Sequence, residues 1–304
     1  MTDTARHPLA EQLRACLPPA VAARYDVCAV DETVSTNTDL KHLAAAVTGR
    51  GEKICPTLLL ARTQSGGRGR MGRSFHSPVG TGLYMSILLA PAMPAREALL
   101  LTTAAAVACA EGADAVLADM HKCGCGGEPA RVAIKWVNDL YLHEKKICGI
   151  LAEASLSADA GALAWAVIGM GINLTPPDGG FPEELSHTAG ALLTGIPADA
   201  DALLCRLGAD ILVRLDRYLT AEVRPYVLDA YRSRSILDGR AVTVRPMSSL
   251  GGEERPAVVR GIDDDFGLRV VYEDGEETTL SSGEVVMRDV DGILQSARAS
   301  VHLR

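Results

Sequence analysis

The sequence predicts an α+β chain in which strands and helices interleave before a small β-barrel closes the fold. Three observations carry this. Apolar runs at residues 57–61, 83–89, 132–136, 140–142, 147–151 and 164–170 have strand length and are bounded by Gly, Pro and Asn-Asp turns. A long Ala/Leu run over residues 94–118, with Glu97 near its start, reads as a helix buried against that sheet. At Asp238-Gly239 the composition changes to short Val-rich alternating segments, 241–245, 257–262, 268–272 and 277–280, with turns at 248–252 and 263–267, the pattern of a small β-barrel. The division expected from these changes is an N-terminal extension (1–25), a main domain (26–237), a C-terminal barrel (238–293) and a tail (294–304).

Taken in order, the opening is Ala-rich and interrupted by Pro18-Pro19, so a short helix precedes a strand near residues 25–30. Ser35-Thr36-Asn37-Thr38-Asp39 then leads into a helical pattern over 40–47; hydroxyls and amides there serve as an N-cap and equally as the floor of a small polar pocket. Residues 132–151 read as a meander with Lys135, Asp139 and Lys146 near its turns, the last in a polar turn at 143–146. The strand at 164–170 ends in Gly169-x-Gly171-Ile-Asn173, and residues 175–180 form a Pro/Gly loop, a candidate lid. Residues 199–220 and 222–237 are helical, and Leu203, Leu204, Leu207, Ile211 and Leu215 trace a core-facing stripe.

Between the first two central strands lies the most charged and glycine-rich stretch, Arg62-Thr-Gln-Ser-Gly-Gly-Arg-Gly-Arg-Met-Gly-Arg73. Its glycines let a ligand approach the main chain, and Arg68, Arg70 and Arg73 are planar donors suited to carboxylate and phosphate. No Asp or Glu occurs from Lys53 to Arg96, where average composition would place about five, so the field along this segment is one-sided. A solvated Arg/Gly turn is the plainer alternative. Gly67-x-Gly69-x-x-Gly72 also spells a dinucleotide fingerprint, but Pro78, Gly80 and Gly82 follow where a helix would have to begin, and no acid stands about twenty residues on. A Walker loop is excluded because no Gly-Lys-Ser/Thr is present.

Apolar residues make up 48% of the 304, enough for a large core, while aromatics are only 4%, so Ala, Leu and Val must fill it. A net charge of −8 argues against general nucleic-acid affinity and makes the basic loop a local site. Eight cysteines without a framework spacing favour a reducing, cytoplasmic compartment, although Arg6, Arg14 and Arg24 in an acid-poor opening keep an organelle address open. His121-x-Cys123-x-Cys125 has ligand chemistry but lacks a fourth ligand. No run reaches the length of a membrane span.

Five motifs in order, Ser35-Thr-Asn37, Gly67-Arg-Gly-Arg-Met-Gly-Arg73, Lys135-Trp-Val-Asn-Asp139, Lys145-Lys-Ile-Cys-Gly149 and Gly169-Met-Gly-Ile-Asn173, resemble those of the biotin protein ligases over roughly residues 30–290. Gly261-Ile-Asp263, Gly267-Leu268 and Ser282-Gly-Glu284-Val285 look like that family's C-terminal SH3-like barrel. The resemblance implies a mixed sheet flanked by helices, formation of biotinyl-5′-AMP from biotin and ATP with Mg²⁺, and transfer to a lysine of the carrier domain of a biotin-dependent carboxylase. It implies a biotin site of Ser35, Thr36, Asn37, Gln64, Arg68, Gly69, Arg70, Lys146 and Gly149. It implies a nucleotide site of Arg70, Arg73, Phe75, Lys135, Asn138, Lys146 and Asn173, with Asp139 orienting Mg²⁺ or accepting a proton. Val137 stands where a proline is common, and Phe75 where a Trp often follows the loop. The excursion at residues 122–129 is unusual, and nothing in the sequence explains it.

The chemistry fits the residues themselves. Joining a carboxylate to an α-phosphate brings two anions together, for which Arg68, Arg70, Lys135 and Lys146 supply fixed cations. An Arg/Gly loop, mobile until an anion arrives, would close over the adenylate and exclude water. No helix-turn-helix pattern precedes residue 25, so no DNA partner is expected, nor a membrane; a monomer and a homodimer are both open. A lipoate ligase shares the chemistry but not the Arg-Gly-Arg-x-Gly-Arg loop, an RNA-binding module would lack a stacking platform, and a nicotinamide oxidoreductase rests on the rejected fingerprint.

Overall fold

The structure is a computed structural model that describes residues 4–91, 93–123, 130–157, 161–195, 199–245 and 253–287. Cys125, most of the 122–129 excursion, the 248–252 turn and the tail lie outside the described residues.

Seven strands form the main sheet: β1 (Asp26–Thr33), β2 (Thr57–Gln64), β3 (Gly82–Leu89), β4 (Ala133–Lys135), β5 (Asp139–Leu142), β6 (Lys145–Leu156) and β7 (Leu163–Asn173). Their order is β1-β2-β3-β7-β6-β5-β4. β1 and β2 are parallel, joined by helix α3, and the remaining pairs are antiparallel, which makes the sheet mixed. The central strand β3 is buried along its whole length, as its unbroken apolar run requires.

Helices α1 (Pro8–Cys16), α2 (Pro19–Ala22), α3 (Thr36–Gly49), α4 (Leu99–Lys122), α5 (Ala200–Tyr218) and α6 (Arg224–Arg232) flank this sheet. On one face Leu58, Leu60, Leu83, Met85 and Ile87 pack with α1, α4 and α5. On the other, Leu59, Leu88 and Val167 pack with Leu40 and Ala44 of α3. The stripe Leu203, Leu204, Leu207, Ile211 and Leu215 is buried, as its spacing requires. Residues 95–122 are long and apolar enough to cross a membrane by length and composition alone. Yet 72% of the most apolar window is buried, because small Ala side chains let α4 pack between the sheet and α5.

Three elements differ from the sequence reading. The helix expected over 222–237 stops at Arg232, and the following residues run beside β4 instead: Ile134 N–H donates to Arg234 O at 2.8 Å and Ile236 N–H to Ile134 O at 3.0 Å. The polar turn is only His143-Glu144, both with positive φ as a two-residue hairpin requires, so Lys145 and Lys146 lie on β6. The strand expected to end at residue 170 continues to Asn173, carrying Gly169 and Gly171 inside the sheet.

The C-terminal segment is a five-stranded antiparallel sheet of β8 (Ala241–Arg245), β9 (Arg255–Ile262), β10 (Leu268–Tyr272), β11 (Glu277–Leu280) and β12 (Glu284–Met287) in the order β11-β10-β9-β8-β12, consistent with the expected small barrel. Its core is continuous with that of the main sheet. Phe266 meets the Tyr231 ring edge-on with centroids 6.1 Å apart, and Trp136 Nε1–H donates to Phe266 O at 3.0 Å. Phe266 is 1% exposed, so Phe266→Ala should cost about 3–5 kcal/mol of stability. A urea titration checks this; an unchanged midpoint would show that the seam between the sheets carries little.

Candidate active site

The site forms on the α3 face of the sheet, where three elements converge. Ser35 precedes α3 in extended conformation (φ −165°, ψ 126°), the N-cap position, but its side chain makes no capping bond. Gln64, at the end of β2, replaces it: its Oε1 accepts from Thr36 N–H at 3.0 Å and from the Thr36 hydroxyl at 3.2 Å. The Ser35 hydroxyl therefore stays available, and it makes no hydrogen bond among the described residues.

Behind it runs a polar chain through an otherwise apolar core. Thr36 Oγ1 lies 2.6 Å from Ser86 Oγ, Ser86 donates to Asn37 Oδ1 at 2.6 Å, and Asn37 Nδ2 donates to Leu151 O and Glu153 Oε2, both at 3.1 Å. Ser35, Thr36 and Asn37 are 1%, 3% and 4% exposed, so each polar group is paired or faces a small hollow of about 310 Å³, open solvent included. Gly169 makes this possible, since a Cβ there would lie 2.0 Å from Asn37 Oδ1.

The basic loop folds back as a hairpin beside the hollow. Arg68 bridges to Ser74, Gly69 N–H donates to Arg73 O at 2.7 Å, and Phe75 N–H to Gly67 O at 2.8 Å. Met71 and Gly72 turn the tip with φ of 56° and 73°. Gly67 is required by close approach: a Cβ there would meet Phe75 O at 2.4 Å. The Phe75 ring lies over Gly149 and Gly171, register partners on β6 and β7; a Cβ on Gly171 would be 2.6 Å from the ring.

Sharing Arg68, Phe75 and Gly149 with the hollow is a basin of about 1330 Å³, open solvent included, lined by Arg70, Arg73, Lys135, Lys146 and Asp139 among others. The carboxylates absent from the loop's own sequence come from elsewhere. Lys146 Nζ is 2.6 Å from Asp139 Oδ1, Arg73 Nη2 is 2.6 Å from Glu284 Oε1 of β12, and Arg68 Nη1 is 3.6 Å from Glu153 Oε1. Arg70 donates to Asn138 Oδ1 at 2.9 Å and to Gly283 O at 2.6 Å, and burial lowers its pKa from the usual guanidinium value. Burial likewise lowers the Lys135 pKa, with the Asp139 charge opposing, and no carboxylate lies within ion-pair distance of its ammonium among the described residues.

The candidate residues thus divide. Ser35, Thr36, Asn37 and Gln64 line the hollow, while Gly69, Arg70 and Lys146, expected with them, line the basin together with Arg73, Lys135, Asn138 and Asp139. Arg68, Phe75 and Gly149 line both. Asn173 lines neither: its Nδ2 donates to Gly190 O at 2.9 Å and holds the segment after β7. Ser86, Glu153 and Glu284 were missed. Ser86 had a signal, as the sole polar residue within the apolar run 83–89 apart from the Tyr84 hydroxyl; Glu284 stood in a C-terminal motif without a site role, and Glu153 had no signal. Among the described residues no group of three His, Cys, Asp or Glu side chains could enclose a metal. Magnesium held chiefly by phosphate oxygens needs only one or two protein carboxylates, which Asp139 can supply.

Gly169→Ala should displace the Asn37 amide and break its bonds, lowering stability by about 1–3 kcal/mol. Chemical denaturation checks it; a native-like midpoint would mean that Asn37 is not held as described.

A model of the biotin/lipoate A/B protein ligase family matches residues 35–173. The bifunctional ligase/repressor BirA of Bacillus spizizenii is 37% identical over 136 residues, 45% of this chain; the match spans only 38% of that relative's length. A biotin–[acetyl-CoA-carboxylase] ligase of Mycobacterium tuberculosis is 30% identical over 288 residues, covering 93% of this chain and 97% of the relative. The solved biotin protein ligase of Aquifex aeolicus, in complex with biotin and ATP, superposes with a TM-score of 0.61 at 25% identity, covering 86% of this chain and 97% of that one. With a near full-length relative and the same fold built around the ordered motifs, the chain belongs to the biotin protein ligase family.

Proposed function

We propose that the chain joins biotin to ATP as biotinyl-5′-AMP and passes the biotinyl group to a lysine in the carrier domain of a biotin-dependent carboxylase. The observation that carries this reading is the adjacency of two unlike compartments: a small hollow lined by neutral hydroxyls and amides shares Arg68, Phe75 and Gly149 with a cation-lined basin. The hollow suits a ureido ring, which has both donors and an acceptor, and the basin suits a triphosphate.

In the first step a biotin carboxylate oxygen attacks the α-phosphorus and pyrophosphate leaves. Two anions must approach within bonding distance, so Lys146 and Arg70 at the junction offset their repulsion. The Lys146–Asp139 pair is the resting state of that charge, and the ligand's oxygens take the place of Asp139. Lys135, already depleted of counter-charge, faces the phosphates. In the second step an acceptor amine attacks the acyl carbon, AMP leaves, and the amine's proton passes to a base, the role we assign to Asp139. Mg²⁺ belongs to this proposal as a charge-neutralising partner of the phosphates, with Asp139 as its protein donor. Arg70 exchanges the Gly283 carbonyl for ligand oxygens, one charge-assisted hydrogen bond for another, while Arg68 stays beside Glu153 at the mouth of the hollow.

Biotin-dependent exchange of labelled pyrophosphate into ATP tests the first step: exchange above a no-biotin control is expected, and its absence from folded protein would reject the ligase activity. Lys146→Ala should slow this exchange by about 10²–10³-fold while slowing transfer from supplied biotinyl-AMP far less. Equal losses in both half-reactions would remove Lys146 from the adenylation step.

A further inference from the structure

Strand β6 carries an acid that touches both the floor and the mouth of the hollow. Glu153 lies four residues beyond Gly149, with its side chain 23% exposed. Its Oε2 accepts one Asn37 Nδ2 proton at 3.1 Å, and Leu151 O accepts the other at 3.1 Å. With both protons committed the amide has one orientation, and Oδ1 is fixed toward the Ser86 hydroxyl. The other oxygen, Oε1, accepts from Lys41 Nζ of α3 at 2.6 Å and lies 3.6 Å from Arg68 Nη1 of the basic loop. Burial alone would raise this carboxyl's pKa, but the hydrogen bonds from Lys41 and Asn37 outweigh it and the net shift is downward. The group is therefore an anion whenever the site operates near neutral pH.

We propose that Glu153 is a positioning residue for the biotin end of the site: one carboxylate fixes the Asn37 amide in the floor and tethers Arg68 at the mouth. The inference rests on the ligase reading above. The geometry separates its role from the chemistry. Glu153 contacts none of Arg70, Lys135, Lys146 or Asp139, which line the basin where charge is transferred. Its influence should therefore fall on capture of biotin and leave the handling of ATP alone. A purely structural acid, holding α3 to β6 through Lys41, would instead affect stability or all kinetic constants together.

Glu153→Gln keeps the size and an acceptor for Asn37 but removes the charge that holds Arg68. In pyrophosphate exchange it should raise KM for biotin about tenfold, with KM for ATP within about twofold and kcat within about threefold. Glu153→Asp keeps the charge on an arm too short to serve both partners, and should give an intermediate KM for biotin. In an Arg68→Ala background the effect of Glu153→Gln should shrink, because coupled neighbours are not additive. An unmoved KM for biotin in both variants, equal rises for biotin and ATP, or a loss confined to kcat would each overturn the proposal. If the Gln variant does not fold, the Asp variant decides by the same criteria. Absence of exchange by the unsubstituted chain would overturn the ligase reading and this inference with it; normal exchange with KM for biotin unmoved in the variants overturns this inference alone.

Discussion

The site depends on keeping several cations close together in a protein that has no ligand to neutralise them. Arg68, Arg70, Arg73, Lys135 and Lys146 face one junction, and like charges at such separations repel. The fold answers with carboxylates delivered one by one: Glu153 from β6, Asp139 from β5 and Glu284 from β12. Arg70 is held by neutral oxygens of Asn138 and Gly283, and buried Lys135 has Asp139 as its cross-strand partner but no carboxylate within ion-pair distance among the described residues. The resting site is thus a set of cations paired with borrowed anions, of which Asp139 and Glu284 can give way to a carboxylate and a triphosphate while Glu153 stays in place.

This arrangement explains why the second sheet packs where it does. Gly283 and Glu284 open β12 and reach the basic loop, while Phe266 and Trp136 lock that sheet to the first. The contacts that order the loop and those that join the two sheets are therefore made by one unit. On the opposite side, the neutral hollow depends on exact spacing in the main sheet. Gly149 and Gly171 in register make room for Phe75, and Gly169 makes room for Asn37. A methyl group at any of these positions would fill space that the aromatic ring or the amide now occupies.

Much of this was legible in the sequence. The strands flanking the loop, the buried α4, the stripe of α5 and the Val-rich second sheet all follow from local pattern, because burial on one face imposes period or length. The loop arginines and Lys146 were legible because ordered motifs marked them. The counter-ions were not. The acid-free stretch from Lys53 to Arg96 suggests an unpaired field, but the partners of Arg68 and Arg73, Glu153 and Glu284, are distant in sequence, and only the topology brings them in. Tertiary pairing also overruled local signals where residues 234–236 left the helical pattern to run along β4. The motif of Asn173 implied a place near the nucleotide but gave no sign that its Nδ2 also donates to the backbone of Gly190.

The central claim is that a neutral polar hollow selects the ligand's head while the adjoining cations take its carboxylate. Isothermal titration of the ligand-free chain with biotin and, separately, with lipoate tests it most directly. Both carry a carboxylate on a flexible chain, but only biotin has a ureido group to pair with the hydroxyls and amides of the hollow. The account predicts saturable one-to-one binding of biotin and no binding of lipoate over the same concentrations; saturation by lipoate with none by biotin would contradict it.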